Sequence, residues 1–323
     1  MGNAFNPSAG KTGVTNFNPE KDIPSLEGKV VFISGGTGGL GAESAKALAV
    51  HNAAHIYISG RNRKAAETII SSIRHRNPKP DVTFVELDLS SLASVKEGVK
   101  KYFKHDRLDI LMCNAGIMAQ PASLSKDGYE IQFATNHLGH AMLIHELLPV
   151  LLATAKKPGS DVRILNLTSL GYAFHPPSGI SFAELSAHKP MTRLLMGGWV
   201  RYGHAKLANI LYASELARRY PQITSVSIHP GTVYTDLCIG QPWYNRWFIY
   251  GACYLQGIKL ISPDQGCWNQ VWCAAGAKKQ ELANGSFYLP VGIEAFETLD
   301  KTAQSEKLGK ELWEWTEDVL AKV

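Results

Sequence analysis

Short apolar runs rich in β-branched residues recur along the chain and alternate with segments that have helical spacing. Each run has the length and composition of a strand buried on both faces. The runs are Lys29–Ser34, Ala54–Ser59, Val82–Leu87, Leu108–Cys113, Val162–Thr168 and Ile223–Ile228, with a seventh candidate at Gly285–Leu289. Helices are predicted at Leu40–Val50, Asn62–His75, Ser91–Phe103 and Tyr202–Arg219. Repeated strand–helix units predict one doubly wound α/β domain, with about seven mainly parallel strands and helices on both faces.

The pattern also sets the expected domain organisation. We find no internal repeat and no linker between residues 29 and 292, so this stretch is predicted to be one domain. Residues 1–28 form a polar leader, and residues 293–323 form a helical tail that carries Trp313 and Trp315.

Composition narrows the function classes. The chain has 323 residues, of which 45% are hydrophobic and 19% charged, a globular balance that excludes disorder and collagen-like architectures. The formal net charge is +5, but the sequence has no run of five Lys or Arg residues. We therefore expect no nucleic-acid partner and no polybasic membrane tract, whereas an anionic cofactor would suit the charge.

Cysteine usage and the leader bear on the compartment. The five cysteines are an odd number without a CxxC pair, which predicts a reducing, cytoplasmic setting and no zinc site. The leader lacks the apolar stretch of a signal peptide, and Asn6 stands where myristoylation expects Ser or Thr. The sequence has no run of 18 apolar residues, so no membrane span is predicted. His137 and His140 lack a third ligand nearby, so packed histidines are favoured over a metal site.

A glycine-rich turn follows the first predicted strand directly and opens the first helix. It reads Ser34-Gly35-Gly36-Thr37-Gly38-Gly39-Leu40-Gly41. Glycines let the backbone approach a pyrophosphate, and a helix N-terminus offers free N–H groups. The spacing fits GxGxxG, GxxGxxG and GxxxGxG alike, and a tight connection is the alternative. The strand–turn–helix context favours a dinucleotide site in a Rossmann-type fold.

Residues at the ends of later strands predict contacts with the adenosine half of the dinucleotide. An acid about 20 residues after the turn would bind the ribose 2′-OH of NAD, but Arg61 stands at that strand end. Arg61, supported by Lys64, favours the 2′-phosphate of NADP(H), and a solvated arginine is the alternative. Asp88 could accept from the adenine amino group or cap a helix. Asn114-Ala115-Gly116 permits close approach to a ribose or forms an ordinary turn.

Tyr202 and Lys206 lie four residues apart on a predicted helix, which places them on one face. In a chain of this composition such a pair is expected by chance, so the spacing alone carries no weight. The fifth strand brings Ser169 to its carboxyl end, where ligands bind in open α/β sheets. Taken singly, a core tyrosine and a serine turn would explain these residues equally well.

Together these motifs resemble the short-chain dehydrogenase/reductase family over roughly residues 28–292. Gly35-xxx-Gly39-x-Gly41 resembles its cofactor turn, and Cys113-Asn114-Ala115-Gly116 its NNAG element. Asn136, Ser169, Tyr202 and Lys206 match its tetrad, and Pro230–Thr235 its PG loop. Ser34 and Cys113 depart from the usual Thr and Asn. The stretch Ala134–His140 is similar to retinol dehydrogenases and WW-domain oxidoreductases, a branch with many fungal relatives, often in secondary metabolism.

The resemblance implies a role for each residue. Tyr202 would be the general acid/base, Lys206 would lower its pKa and hold the nicotinamide ribose, Ser169 would orient the substrate oxygen, and Asn136 would hold a relay water. The implied cofactor contacts are Gly35, Thr37, Gly39, Leu40, Gly41, Arg61, Lys64, Asp88, Leu89, Asn114, Ala115, Gly116, Tyr202, Lys206, Pro230, Gly231, Val233 and Thr235.

The segment 237–262 carries six Trp, Tyr and Phe residues and only two charged ones, Arg246 and Lys259. We interpret it as a substrate lid in which Trp243 and Trp247 contact a bulky apolar substrate. Membrane contact is a less favoured alternative, and packing or a homo-oligomer contact is the third.

The predicted function is NADP(H)-dependent interconversion of a carbonyl and an alcohol on a small hydrophobic substrate. The substrate class would be a secondary metabolite or a retinoid- or steroid-like molecule. The alternative is a repurposed scaffold that binds NADP(H) and acts as a regulator or in non-redox chemistry.

Overall fold

A single twisted sheet organises the computed structural model, which describes residues 13–186, 196–234, 236–255 and 260–323. In these residues eight strands pair in the order β3-β2-β1-β4-β5-β6-β7-β8. Strands β1 to β7 run parallel, and β8 is antiparallel to β7. The strands are β1 Val30–Ser34, β2 His55–Gly60, β3 Asp81–Glu86, β4 Ile110–Cys113, β5 Arg163–Leu167, β6 Thr224–Ile228, β7 Phe287–Leu289 and β8 Ile293–Glu294. The predicted doubly wound fold is confirmed, with a short eighth strand added at one edge.

Helices cover both faces of the sheet. They are α1 Pro19–Asp22, α2 Gly39–Ala49, α3 Arg63–Arg76, α4 Leu92–Tyr102, α5 Ile131–Phe133, α6 Gly139–Ala155, α7 Phe182–Leu185, α8 Gly197–Arg219, α9 Asp236–Ile239, α10 Trp243–Leu255, α11 Pro263–Gly266, α12 Trp268–Val271 and α13 Glu306–Leu320. Short 3₁₀ turns cover Leu170–Phe174, Lys279–Glu281 and Phe296–Thr298, and π-helical turns cover Ala134–Leu138 and Trp272–Gly276.

The central strands are apolar throughout because neither of their faces meets water. All five residues of β1 are buried, and the same holds for β5 and β6. One core layer packs α4, α6, α8 and α13 on the sheet, and the other packs α2, α3 and α12 on the opposite face. This arrangement explains why the strands read as continuous hydrophobic runs rather than as alternating patterns.

The strand order reverses between β1 and β4. The chain moves outward from β1 to β2 and β3, then returns to β4 on the other side of β1. Loops leaving these two neighbours must separate, and the crevice between them is where open α/β sheets bind ligands. Gly35 and Asn114 follow the two strands directly.

The two chain ends pack on the domain. Phe17 and Leu26 are buried in one core layer, and residues 1–12 lie outside the described part. The tail helix α13 packs along α8, where Trp313 stacks on Tyr212 with ring centroids 5.0 Å apart. Helix α8 is therefore covered on several sides, which fixes the residues at its start.

One helical stretch, Ile131–Ala155, has the length and mean hydropathy to cross a membrane, although no apolar run in the sequence predicted one. More than half of it is buried inside the protein, the position of a core helix.

Candidate active site

The glycine turn forms the floor of a cleft at the carboxyl ends of β1 and β4. Gly35 adopts a φ of +66°, a conformation that favours glycine. A Cβ at Gly41 would lie 2.3 Å from the Gly35 carbonyl oxygen, so only glycine lets α2 begin this close to the turn. No side chain caps α2, and its first turn has no acid. Its free N–H groups and positive dipole end fit a pyrophosphate.

The cleft has a volume of about 800 Å³, within the range of cofactor and ligand sites. It brings together most of the predicted cofactor contacts, which come from five strand-end segments and helix α8. Those that line it are Gly35, Thr37, Gly39, Leu40, Arg61, Asp88, Leu89, Asn114, Ala115, Gly116, Tyr202, Lys206 and Pro230.

The remaining predicted contacts do not line the cleft. Gly41 closes the turn from below, and Gly231 and Val233 follow Pro230 without reaching the lining. Lys64 is exposed in the first turn of α3 and does not line the cleft, whereas Arg61 does. Thr235 lies outside the described residues.

Charges of both signs meet at the adenosine end of the cleft. Asp88 accepts hydrogen bonds from the Ser90 N–H at 3.0 Å and the Ser90 hydroxyl at 2.7 Å. Burial alone would raise the pKa of Asp88, but these bonds and the charges of Arg61 and Lys126 hold it below its ordinary value. Asp88 is thus an ionised acceptor beside two cations. The sequence reading missed Lys126, which lies in a loop remote in sequence from the strand ends.

The proposed catalytic side chains converge at the other end. Tyr202 is 5% exposed and Lys206 is 6% exposed. The Lys206 ammonium lies 5.6 Å from the centre of the Tyr202 ring and donates to the Leu167 carbonyl at 3.0 Å. The Ser169 hydroxyl is hydrogen-bonded to the Tyr202 hydroxyl. A side chain at Gly171 would lie 2.9 Å from the Tyr202 ring, so this glycine allows the tyrosine to seat against the strand end.

Asn136 lies in the π-helical turn before α6, and its side chain clamps the loop after β4. Its Oδ1 accepts from the Ile117 N–H at 2.8 Å, and its Nδ2 donates to the Ile117 carbonyl at 2.9 Å. One lone pair of the amide oxygen and one N–H of the amide nitrogen are therefore engaged by backbone. The role of Asn136 as the holder of a relay water stays a prediction. π-Helical turns are frequent at functional sites because they displace one residue from the regular helix.

Burial dominates the electrostatics of the tyrosine and the lysine. It raises the pKa of Tyr202 to about 12, although the Ser169 hydrogen bond acts in the opposite direction. It also lowers the pKa of Lys206 to about 8. In the protein alone burial therefore sets the direction of the tyrosine pKa, and Ser169 rather than the lysine acts against it. At neutral pH the site holds a protonated phenol beside a lysine that is still mostly charged.

Trp243 and Trp247 do not line the cleft, so in this arrangement the predicted substrate contacts are not formed. Both are 73% exposed. Helix α10 instead turns Asn245 inward, where its Oδ1 accepts from the Trp199 indole at 3.2 Å and its Nδ2 donates to Gln241. The buried amides orient the helix so that Trp243 and Trp247 point outward. Among the described residues of the segment 237–262, Leu237 in α9 lines the cleft.

This placement reverses the expectation for a tryptophan substitution. Trp247→Ala should leave KM for a bulky apolar carbonyl substrate within about twofold, because the indole is remote from the cleft. Leu237→Ala is the matched comparison and should raise KM several-fold, by about the transfer free energy of the lost methyl groups. Steady-state kinetics of both variants would decide the point. A large KM increase in Trp247→Ala would restore the lid interpretation.

Comparison with known proteins identifies the relatives of the chain. The family model for short chain dehydrogenase matches residues 29–181. An uncharacterized oxidoreductase of Schizosaccharomyces pombe is 34% identical over 93% of this chain and 87% of its own. Retinol dehydrogenase 11 of Homo sapiens is 32% identical over 91% of this chain and 86% of its own.

A solved structure extends the similarity to the whole fold. An uncharacterized protein of Mycobacterium paratuberculosis superposes with a TM-score of 0.71 at 26% identity, covering 96% of this chain and 98% of that one. With the glycine turn, the cleft and the Ser169–Tyr202–Lys206 arrangement already in place, these findings establish that the chain belongs to the short-chain dehydrogenase/reductase family of oxidoreductases.

Proposed function

We propose that this oxidoreductase uses NADPH to reduce the carbonyl of a hydrophobic small molecule, with Tyr202 as the general acid. The observation that carries the proposal is the layout of the cleft. Tyr202 and Lys206 line one end, where Ser169 is hydrogen-bonded to Tyr202, and Arg61 lines the other with no acid on the same strand end. A dinucleotide has the extended form and the anionic centre that this layout accommodates.

The chemistry of the residues favours reduction. The nicotinamide, when bound, supplies the hydride. Tyr202, with a pKa of about 12, stays protonated at neutral pH and can give its proton to the substrate oxygen as negative charge develops there. The Lys206 ammonium stabilises the phenolate that results, and Ser169 donates to and orients the same oxygen. Tyr202 and Lys206 are both buried, and Ser169 is held to Tyr202 by its hydrogen bond.

Apolar side chains surround Tyr202 and favour an apolar substrate. Met118, Trp199 and Cys238 form a buried cluster with the tyrosine, and Leu237 and Ile249 pack against it. Burial of a substrate's hydrocarbon surface against these side chains favours binding, whereas a polar substrate would find few hydrogen-bond partners among them. The similarity to retinol dehydrogenase 11 supports a substrate of the same general kind, an extended apolar aldehyde or ketone.

The direct test incubates the enzyme with NADPH and each member of a panel of apolar aldehydes and ketones. The loss of NADPH absorbance measures turnover. Turnover with at least one apolar carbonyl compound is expected. Tight NADPH binding without turnover of any member would favour the non-redox scaffold instead. Binding of neither dinucleotide would refute the cofactor assignment as well.

The cofactor preference rests on Arg61. Arg61→Asp should reduce the preference for NADPH over NADH by about ten- to a hundredfold, because a charge-assisted contact contributes about 1.5–3 kcal/mol. Lys64→Asp makes the same charge change three residues away, outside the cleft, and should change the preference far less. The ratio of kcat/KM for the two cofactors measures both variants. A wild-type enzyme that prefers NADH would contradict this assignment of Arg61.

A further inference from the structure

His140 is a buried side chain that the proposed mechanism does not use. It lies in the first turn of α6 and is 3% exposed. Its Nε2 is 2.8 Å from the Ser34 hydroxyl at the end of β1, and its Nδ1 is 2.9 Å from the carbonyl oxygen of Asn136. Both ring nitrogens therefore have partners, one on each side of the imidazole.

The protons of this network can be placed by counting donors. The Ser34 hydroxyl oxygen accepts from the backbone N–H of Asn114 at 2.9 Å and of Ala115 at 3.1 Å. With its lone pairs engaged, the hydroxyl must donate its one proton to His140 Nε2. Nε2 is then an acceptor, so the ring proton is on Nδ1 and is donated to the Asn136 carbonyl, which can only accept. Burial, which lowers the pKa of His140 to about 4, keeps the imidazole neutral as this pattern requires.

The network spans three elements of the site. Through Ser34 it fixes the backbone that leaves β4, and through the Asn136 carbonyl it fixes the π-helical turn. The Asn136 side chain in turn clamps Ile117. The backbone between these two anchors includes Ala115 and Gly116, which line the cleft. A Cβ placed on Gly116 would lie 3.7 Å from Lys206 Nζ, so this backbone passes close to the catalytic lysine.

We infer that His140, held as the neutral Nδ1–H tautomer, is a positioning residue that sets the cofactor-facing backbone of residues 114–117 against Lys206. It acts through Ser34 and Asn136 and does not touch the reacting atoms. The inference rests on the proposed function for its kinetic consequences but not for its tautomer. A packing role alone would require only the shape of the ring, not its two hydrogen bonds in this order.

The first test needs no turnover. Protein labelled with ¹⁵N-histidine is examined by two-bond ¹H–¹⁵N correlation, and the signals of His140 are assigned by their loss in His140→Gln. The Nδ1–H pattern is expected at neutral pH. An Nε2–H pattern or a charged ring would overturn the inference, whether or not the enzyme reduces any carbonyl.

The second test separates hydrogen bonding from packing. His140→Phe keeps a ring of similar size without nitrogens, and Ser34→Ala removes the hydroxyl. Each should lower kcat by about 10- to 100-fold with a smaller change in substrate KM, since misplacement of a site by about 1 Å can cost that much. Because both act on one network, the double variant should lose little more than either single variant. Ser34→Thr keeps an oxygen at the same position and should recover most of what Ser34→Ala loses.

Two results would contradict the positioning role. One is wild-type kcat in His140→Phe, which would show that shape suffices. The other is a double variant whose losses multiply, which would show that the two side chains act independently. Melting curves identify any variant that has not folded. If His140→Phe does not fold, the comparison of Ser34→Ala with Ser34→Thr carries the test, and equal kcat in these two variants would contradict the positioning role. Absence of turnover in the wild type would refute the proposed function and leave the tautomer result standing.

Discussion

Tyr202→Phe is expected to lower kcat for carbonyl reduction by about 10²- to 10⁴-fold while NADPH affinity changes little. The substitution removes one oxygen from a fully buried ring and keeps the packing of the ring against Gly171 and Trp199. The variant loses the proton that this hydroxyl gives to the substrate oxygen, together with the hydrogen bond to Ser169. Single-turnover rates with saturating NADPH would measure the chemical step directly.

A second tyrosine on the same helix provides the control. Tyr212 is also buried in α8, but it stacks on Trp313 and does not line the cleft. Tyr212→Phe should retain nearly the wild-type rate, so a common loss in both variants would indicate damage to the helix. Near-normal turnover in Tyr202→Phe would remove this residue from the mechanism.

Acid is expected to destabilise the fold steeply between pH 6.5 and pH 5. Burial lowers the pKa of His137 and His204 to about 3 and that of His140 and His229 to about 4. In the unfolded chain each would titrate near 6.5. Between pH 6.5 and pH 5 these histidines bind protons in the unfolded state but not in the folded state. The free energy of unfolding therefore falls as pH falls. Above 6.5 these four groups contribute no pH dependence.

The expected size follows from the number of protons. Each histidine contributes a slope of up to about 1.4 kcal/mol per pH unit, and four together would consume a large part of a total stability of about 5–15 kcal/mol. Urea unfolding at several pH values measures this slope. His204→Gln removes one titrating group and should reduce the slope by about one proton. A free energy of unfolding that is unchanged between pH 6.5 and 5 would show that these side chains titrate normally in the fold.

The local hydrophobic pattern was sufficient to predict the order of strands and helices, because the periodicity of each element is a property of consecutive residues. The runs from Lys29 to Ile228 gave six strands within two residues of their observed ends. The glycine turn could be placed for the same reason, since its chemistry depends on residues adjacent in the chain. Tyr202 and Lys206 share one helix face, and their proximity required only the helical repeat.

The orientation of side chains that depends on contacts between distant segments could not be predicted from the local pattern. The aromatic residues of α10 satisfied the expectation for a lid by composition, yet Asn245 and Gln241 turn the helix so that Trp243 and Trp247 face outward. Likewise, the two hydrogen bonds between the Asn136 side chain and the Ile117 backbone join residues 19 positions apart, and no local pattern indicated them.

Residues close together in the chain were enough to predict the fold class, the position of the glycine turn and the shared helix face of Tyr202 and Lys206. Packing between distant segments placed Lys64 outside the cleft, Lys126 beside Asp88, and His140 between Ser34 and Asn136. The physical reason is the range of the interactions involved. Backbone conformation and helical spacing act over a few residues, whereas burial and hydrogen-bond pairing depend on which surfaces meet, and that is fixed only when the whole sheet and its helices have packed.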